Sequence, residues 1–260
     1  MNLALPAPGT PVIEVDGLTA GYGDRILFRD VSFRVLAGEV FVILGGSGCG
    51  KSTLLKLLIG LLRPLSGSIR VLGHDIASGD EKGMRAVRSR IGVLFQAGGL
   101  LNSMTVGENV ALPLAEHTDL SPAAIGELVR MKLALVDLSQ APGLLPSEIS
   151  GGMKKRAGLA RALALDPHLL FLDEPSAGLD PVTSIELDLL IRSVNEGTGS
   201  TMVLVTHELD SIFRIAHRVI FLDRAARGII AEGDPRELRD RSADPRVSDF
   251  LNRRAPSRNG

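Results

Sequence analysis

Residues 45–52 read Gly45-Gly46-Ser47-Gly48-Cys49-Gly50-Lys51-Ser52, which matches G-x-x-x-x-G-K-[ST] without a mismatch. Glycines at this spacing let the backbone curl so that successive N–H groups face one anion. Lys51 supplies a mobile point charge for the outer phosphates of a nucleotide, the Ser52 hydroxyl suits Mg²⁺, and Thr53 completes the binding set. A second candidate group is Leu169-Leu-Phe-Leu-Asp173-Glu174, an apolar run that ends in two acids. Asp173 is expected to hold Mg²⁺ through water, and Glu174 to orient or deprotonate a water attacking the terminal phosphate.

Such chemistry needs a rigid frame, and the pattern around these residues supplies one. Phe41-Val-Ile-Leu44 reads as a buried strand before the loop, and Lys51–Leu62 as a helix after it, whose start adds unpaired N–H donors. Other short strands are expected at Val12–Val15, Val31–Val35 and Ser68–Leu72, and apolar ones at Leu169–Leu172, Met202–Val205 and Val219–Leu222. Strand Leu169–Asp173 should lie beside the phosphate loop, its adjacent acids pointing to opposite sides by strand alternation. Between about Asp80 and Asp166 the chain reads mostly helical, as an insertion into an α/β core. From Pro245 periodicity fades, and Arg246, Arg253, Arg254 and Arg258 suggest a basic tail, solvated or touching headgroups or a neighbouring subunit.

Composition bounds the rest. The chain has 260 residues, 45% hydrophobic and 23% charged, with a formal net charge of −1. That balance removes the electrostatic footprint of a general nucleic-acid binder, so no nucleic-acid partner is expected. One cysteine makes no internal disulfide and no Cys-based zinc site, which fits a reducing compartment. Leu54–Leu62, the most apolar stretch, is interrupted by Lys56 and Gly60 and falls short of the ~18–20 apolar residues of a membrane span. Residues 1–11 carry three prolines and no basic stretch, so a secretory signal is not expected. A mean hydropathy of +0.21 suggests apolar surface covered by a partner.

Ile149-Ser150-Gly151-Gly152-Met153 opens a helix that carries Lys154, Lys155, Arg156 and Arg161 on its polar side and Met153, Ala157, Ala160 and Ala164 on the other. This run resembles the signature motif of ABC-type ATPases, which usually reads Leu-Ser-Gly-Gly-Gln. Further elements match in order: Gln96 after Ile91-Gly-Val-Leu-Phe resembles the Q-loop glutamine. Ser176-Ala-Gly-Leu-Asp180 resembles the D-loop, and His207 after Val203-Leu-Val-Thr206 the switch histidine. The resemblance covers roughly residues 12–235. It implies a P-loop NTPase fold of the ABC type: a RecA-like core, an inserted helical subdomain at about 97–162 and an N-terminal antiparallel β subdomain. The nucleotide-binding domain would span 12–245, between an N-terminal tail of 1–11 and the basic tail of 246–260.

The same resemblance assigns roles. ATP and Mg²⁺ are the implied cofactors, with Gln96 sensing metal and attacking water, and His207 contacting the γ-phosphate and holding Glu174. Tyr22, the only tyrosine, would stack on adenine, whereas Cys49, the only cysteine, is read as a space-filler within the loop. Ser150-Gly151-Gly152 forms a second anion-binding helix start, and in ABC ATPases it closes over the nucleotide of another copy; Asp180 of the D-loop is counted with them among the nucleotide-binding residues. A homodimer, or a dimer with a close paralogue, with two ATP at its interface is therefore implied.

Met153 departs from the usual glutamine, and Ser-Gly-Gly-Met-Lys-Lys-Arg is similar to the Mla/Mce-type ATPases of lipid transport. That similarity implies an integral-membrane permease, an MCE-type periplasmic lipid-binding subunit and a peripheral place on the cytoplasmic face of the inner membrane. Ala97–Val106, with Leu100, Leu101 and Met104, offers an apolar seat for a permease coupling helix, with ordinary core packing as the alternative. Another cargo, an amino acid or a drug, and a soluble ABC-type switch remain the competing readings.

Overall fold

The computed structural model describes residues 5–23, 25–96 and 98–254. The first strands are β1 (Pro11–Tyr22), β2 (Arg25–Leu36) and β3 (Val40–Gly45), followed by α1 (Lys51–Leu58), β4 (Ser66–Val71) and β5 (His74–Asp75). Then come α2 (Glu81–Arg88) and β6 (Ile91–Leu94), and a helical run of α3 (Val106–His117), α4 (Pro122–Leu135) and α5 (Gly151–Ala162). The chain returns to alternation with β7 (Leu169–Asp173), α6 (Pro181–Thr198), β8 (Thr201–Val205), α7 (Leu209–Ile215) and β9 (Arg218–Asp223). It closes with β10 (Gly228–Gly233), α8 (Pro235–Arg241) and α9 (Pro245–Leu251).

Two sheets result. β2-β1-β4-β5 is antiparallel throughout, whereas β10-β9-β3-β8-β7-β6 is parallel apart from β10. The parallel strands are buried on both faces, which explains their near-continuous apolar runs. Val42, Leu44, Leu172 and Leu204 pack with the helices of one face, while Phe41, Ile43, Phe171 and Val203 pack with α1 and the antiparallel sheet on the other. Arg218 joins the two sheets, donating to Arg34 O (2.6 Å) and to Glu39 Oε1 (2.6 Å).

Several expectations are corrected. The end of β7 does meet the phosphate loop, where Ser52 Oγ lies 3.4 Å from Asp173 Oδ1, but β7 is not the neighbour of β3, since β8 lies between them. The helix after the loop ends at Leu58, because Gly60 adopts φ 73 and turns the chain out of helical geometry. β1 continues past Val15 to Tyr22 through register shifts around Gly17, whose φ is 57. β10 had no counterpart in the sequence reading.

The expected non-periodic tail is in part a helix, α9, which crosses the boundary placed at 245/246. Asp244 caps it by accepting from Arg246 N (2.9 Å), Pro245 occupies its first turn, and Val247 and Leu251 are buried in the core. Burying two such side chains contributes on the order of 3–6 kcal/mol before entropy, at about 1.5–3 kcal/mol each. Arg246 pairs with Asp223 (2.8 Å) and Asp244 (2.6 Å), and Arg253 with Asp210, in ion pairs whose arginines stay exposed to solvent. Arg258 and Ala97 lie outside the described residues.

Candidate active site

The parallel strands β3, β6, β7 and β8 end at the same edge of their sheet, where an open α/β sheet places ligands. There a cleft of about 780 Å³ is lined by Gly45, Gly46, Ser47, Gly48 and Gly50 of the loop, and by Lys51, Ser52 and Thr53 of α1. Tyr22, Gln96, Glu174 and His207 line the same cleft.

The loop geometry explains its glycines. Gly45 has φ 147, and a Cβ there would lie 2.3 Å from Leu222 O and 2.6 Å from Cys49 Sγ. Gly50 caps α1 at φ 104 with no side-chain cap, and a Cβ there would meet Phe28 Cζ at 2.5 Å. The first amides of α1 are thus left to an anion, with the positive end of the helix behind them. Lys51 Nζ donates to Gly45 O (2.9 Å) and Gly46 O (3.3 Å), which folds the ammonium over the loop mouth.

Cys49 points the other way, into the core, and is 3% exposed. Burial pushes its thiol above the ordinary value and outweighs the attraction of Lys51. Since the thiolate is the nucleophile, alkylation of the native chain at neutral pH should run on the order of tenfold or more slower than that of free cysteine. The rate should climb as pH rises and, once the loop is modified, ATP binding should fall. Labelling followed by mass spectrometry checks this, and a rate equal to that of free cysteine contradicts the buried placement.

Ser52 Oγ donates to Asp173 Oδ1 at 3.4 Å, so the loop and the end of β7 meet despite the intervening β8. Burial first and the neighbouring Glu174 second push the Asp173 carboxyl upward, against the Ser52 hydrogen bond, Lys56 and Lys155. A hydroxyl beside a carboxylate that would gain from a cation fits Mg²⁺, a hard ion held by one or two carboxylates together with substrate phosphates and water. Among the described residues, no three His, Cys, Asp or Glu side chains gather into a metal cage, and this mode of binding requires none.

Glu174 is not on the strand, so alternation does not separate it from Asp173. It lies just beyond β7 at φ 48, a left-handed backbone that swings its side chain off the strand direction. Glu174 is 9% exposed; its Oε1 lies 2.9 Å from His207 Nδ1, and its Oε2 is buried with no partner. That bond ties the His207 ring to the carboxylate, and His207 itself lines the cleft.

Ser150, Gly151, Gly152 and Asp180 do not line this cleft. Ser150 caps α5, its Oγ accepting from Met153 N at 3.2 Å, and a Cβ on Gly152 would lie 2.6 Å from Thr183 Cγ2. Asp180 caps α6, accepting from Val182 N and Thr183 N (3.1 Å each) and from Thr183 Oγ1 (2.5 Å), so its carboxylate already has structural partners. Those bonds, led by the Thr183 hydroxyl, hold its pKa below the ordinary value.

Sequence reasoning missed Arg25, Leu27 and Phe250 in the cleft lining. Phe250 arrives on α9 and stacks edge-on against Phe221, with centroids 5.0 Å apart. The Asp244-Pro245 cap signal could have revealed the helix that brings it there. Lys155, expected on the polar side of its helix, is buried, and Arg161 donates to Gly99 O (2.7 Å).

A family model for the ABC transporter matches residues 28–177. Over 242 residues the chain is 46% identical to the probable ribonucleotide transport ATP-binding protein mkl of Mycobacterium tuberculosis, covering 93% of this chain and 67% of that protein. Over 240 residues it is 42% identical to the intermembrane phospholipid transport system ATP-binding protein MlaF of Haemophilus influenzae, covering 92% of this chain and 90% of that one. Among solved structures, the dimeric bacterial ABC transporter cassette MJ0796 superposes with a TM-score of 0.78 at 29% identity, covering 85% of this chain and 98% of that one.

Proposed function

The chain belongs to the ABC transporter family as an ATP-binding, ATP-hydrolysing subunit, and from that premise we propose that it powers phospholipid transport at the inner membrane. The observation that carries the cargo is the extent of likeness to the phospholipid-transport protein, 90% of whose length is matched. The run Met153-Lys154-Lys155-Arg156 supports the same reading. The relative named for ribonucleotide transport favours a second reading by its higher identity, but only 67% of that protein is matched.

In this proposal the loop amides and Lys51 hold the phosphates, and Tyr22, 51% exposed at the cleft rim, stacks on adenine. Ser52 and Asp173 hold Mg²⁺, and Gln96 lines the same cleft as Ser52. The ion supplies neutralising charge at the phosphate oxygens. Glu174 accepts the proton of the attacking water through its carboxylate, and His207 fixes that carboxylate by the bond at 2.9 Å while facing the terminal phosphate. Ser150, Gly151 and Gly152 stand away from their own cleft, which supports their use on the ATP of a second copy, with Asp180 shaping that junction through α6.

The proposed place is the cytoplasmic face, beneath a permease and an MCE-type lipid-binding subunit. Among the described residues, no helix is long and apolar enough to cross a membrane. Leu101 is 45% exposed although its backbone is pinned in both directions: Asn109 Oδ1 accepts from Leu101 N (2.8 Å), and Asn109 Nδ2 donates to Leu101 O (3.1 Å). A fixed apolar knob of this kind supports a permease seat in that loop, while Leu100 packs against the core.

Purifying the intact membrane complex from cells that carry Glu174→Gln, with ATP present, tests the cargo. Mass spectrometry is expected to find phospholipid and an MCE-type subunit. A complex with neither removes the lipid reading, and a bound ribonucleotide other than ATP would favour the second.

A further inference from the structure

Lys155 sits in the second turn of α5 and is 6% exposed. A buried ammonium is tolerated only where its protons find acceptors. Here Nζ donates to two backbone carbonyls from distant parts of the chain, Gln96 O at 2.5 Å and Glu174 O at 2.8 Å. Burial lowers its pKa from the ordinary lysine value, while Glu174, Asp173 and Glu208 pull the other way.

Neither carbonyl belongs to a strand. Gln96 follows β6 in a turn, and Glu174 stands at φ 48 just beyond β7. The Glu174 peptide is held by few bonds: its N donates to Val205 O (2.8 Å), and its O accepts from Lys155 and, more weakly, from Ala177 N (3.3 Å). The direction of the Glu174 carboxylate follows from that strained backbone pose, so Lys155 is one of three anchors that decide it.

The same side of α5 is fastened further along. A Cβ on Gly158 would lie 2.6 Å from Leu94 Cδ1 and 2.7 Å from Gly98 O, and Arg161 donates to Gly99 O (2.7 Å) and Gly98 O (3.3 Å). The helix that begins at Ser150 is thus rigidly bound to the segment after β6, and through Lys155 to Glu174.

We infer that Lys155 is a positioning residue whose ammonium ties the Gln96 and Glu174 backbones to α5, so that a shift of α5 re-aims the Glu174 carboxylate of the same chain. No part of the reading above gives Lys155 a role, and the inference rests on Glu174 being the base. Because α5 starts at the glycines proposed to meet a second copy's ATP, one helix links that nucleotide to this chain's own chemistry.

The test is steady-state ATP hydrolysis by the full chain, with kcat and KM measured for Lys155→Met and Lys155→Gln. Lys155→Met keeps the length of the stem and removes the donors. It should lower kcat roughly tenfold or more, within the 10²-fold that a 1 Å misplacement can cost, at nearly unchanged KM for ATP. Lys155→Gln keeps an N–H donor and should recover part of kcat. The inference is overturned if kcat is unchanged, or if it falls only in proportion to the folded fraction seen by thermal unfolding. Should Lys155→Met not fold, Lys155→Leu, which also lacks donors, takes its place: reduced kcat at parental KM supports the tie, and parental kcat overturns it. Glu174→Gln measured alongside separates the two claims, because undiminished turnover there removes the base, and with it the target of Lys155, whatever the Lys155 variants do.

Discussion

A Glu174→Gln chain should bind ATP like the parent yet turn it over ~10²–10⁴-fold more slowly, the range typical of losing a positioned general base. Glutamine preserves the shape and hydrogen-bonding reach of the side chain, so the loop, Lys51 and the end of β7 are undisturbed. What disappears is the site that takes a proton from water. In the parent, His207 already occupies Oε1 at 2.9 Å, while Oε2 is buried without a partner. Glu174 also lines the cleft that holds the phosphate loop, so its carboxylate is within the space a nucleotide and its attacking water would share. The amide can orient that water but cannot accept its proton, so binding and chemistry should separate. Phosphate release measured beside equilibrium ATP binding checks this; a variant that hydrolyses ATP at close to the parental rate assigns the base elsewhere.

The parts of this site that were legible in the sequence are those fixed by local geometry. A glycine-rich loop between an apolar strand and a helix has few alternatives, and Gly45 and Gly50 stand at φ values that other residues rarely adopt. β7 and β8 were readable because strands buried on both faces cannot carry polar residues along their length. Residues whose environment is built by distant chain segments were not readable. Lys155 lies among basic neighbours and defaults to solvent on a helical wheel, but its acceptors come from positions 59 and 19 residues away. Glu174 was placed on the strand because nothing local announces a left-handed glutamate. α9 was obscured by Arg246 and the arginines that follow it, although Val247, Phe250 and Leu251 follow helical spacing behind an Asp-Pro start. Pairing with Asp223 and Asp244 converts what looked like a basic tail into a docked helix.

The complementary loss is expected from Lys51→Ala, which should abolish useful ATP binding while leaving the fold intact. The loop does not depend on Lys51 for its shape: its curvature is set by Gly45, Gly48 and Gly50 at positive φ, and Leu54 and Leu55 of α1 anchor the helix in the core. The two bonds from Nζ to Gly45 O and Gly46 O lie at the partly exposed mouth, where water can replace them. What water cannot replace is a fixed positive charge facing the outer phosphates. One or two charged hydrogen bonds at about 1.5–3 kcal/mol each translate to a roughly 10- to 10⁴-fold weaker Kd, at about 1.4 kcal/mol per tenfold. Thermal unfolding reads both halves of the claim at once. Without ATP the variant should melt close to the parent. With ATP the parent should gain stability by ligand linkage, and the variant should gain little at concentrations that saturate the parent. If Lys51→Ala keeps the full ATP-dependent shift, the loop amides alone hold the phosphates and the ammonium serves only the reaction. If it loses stability without ATP, the bonds to Gly45 and Gly46 are what shape the loop. The contrast with Glu174→Gln is therefore diagnostic: one substitution should leave a chain that holds ATP without spending it, the other a chain that scarcely holds it.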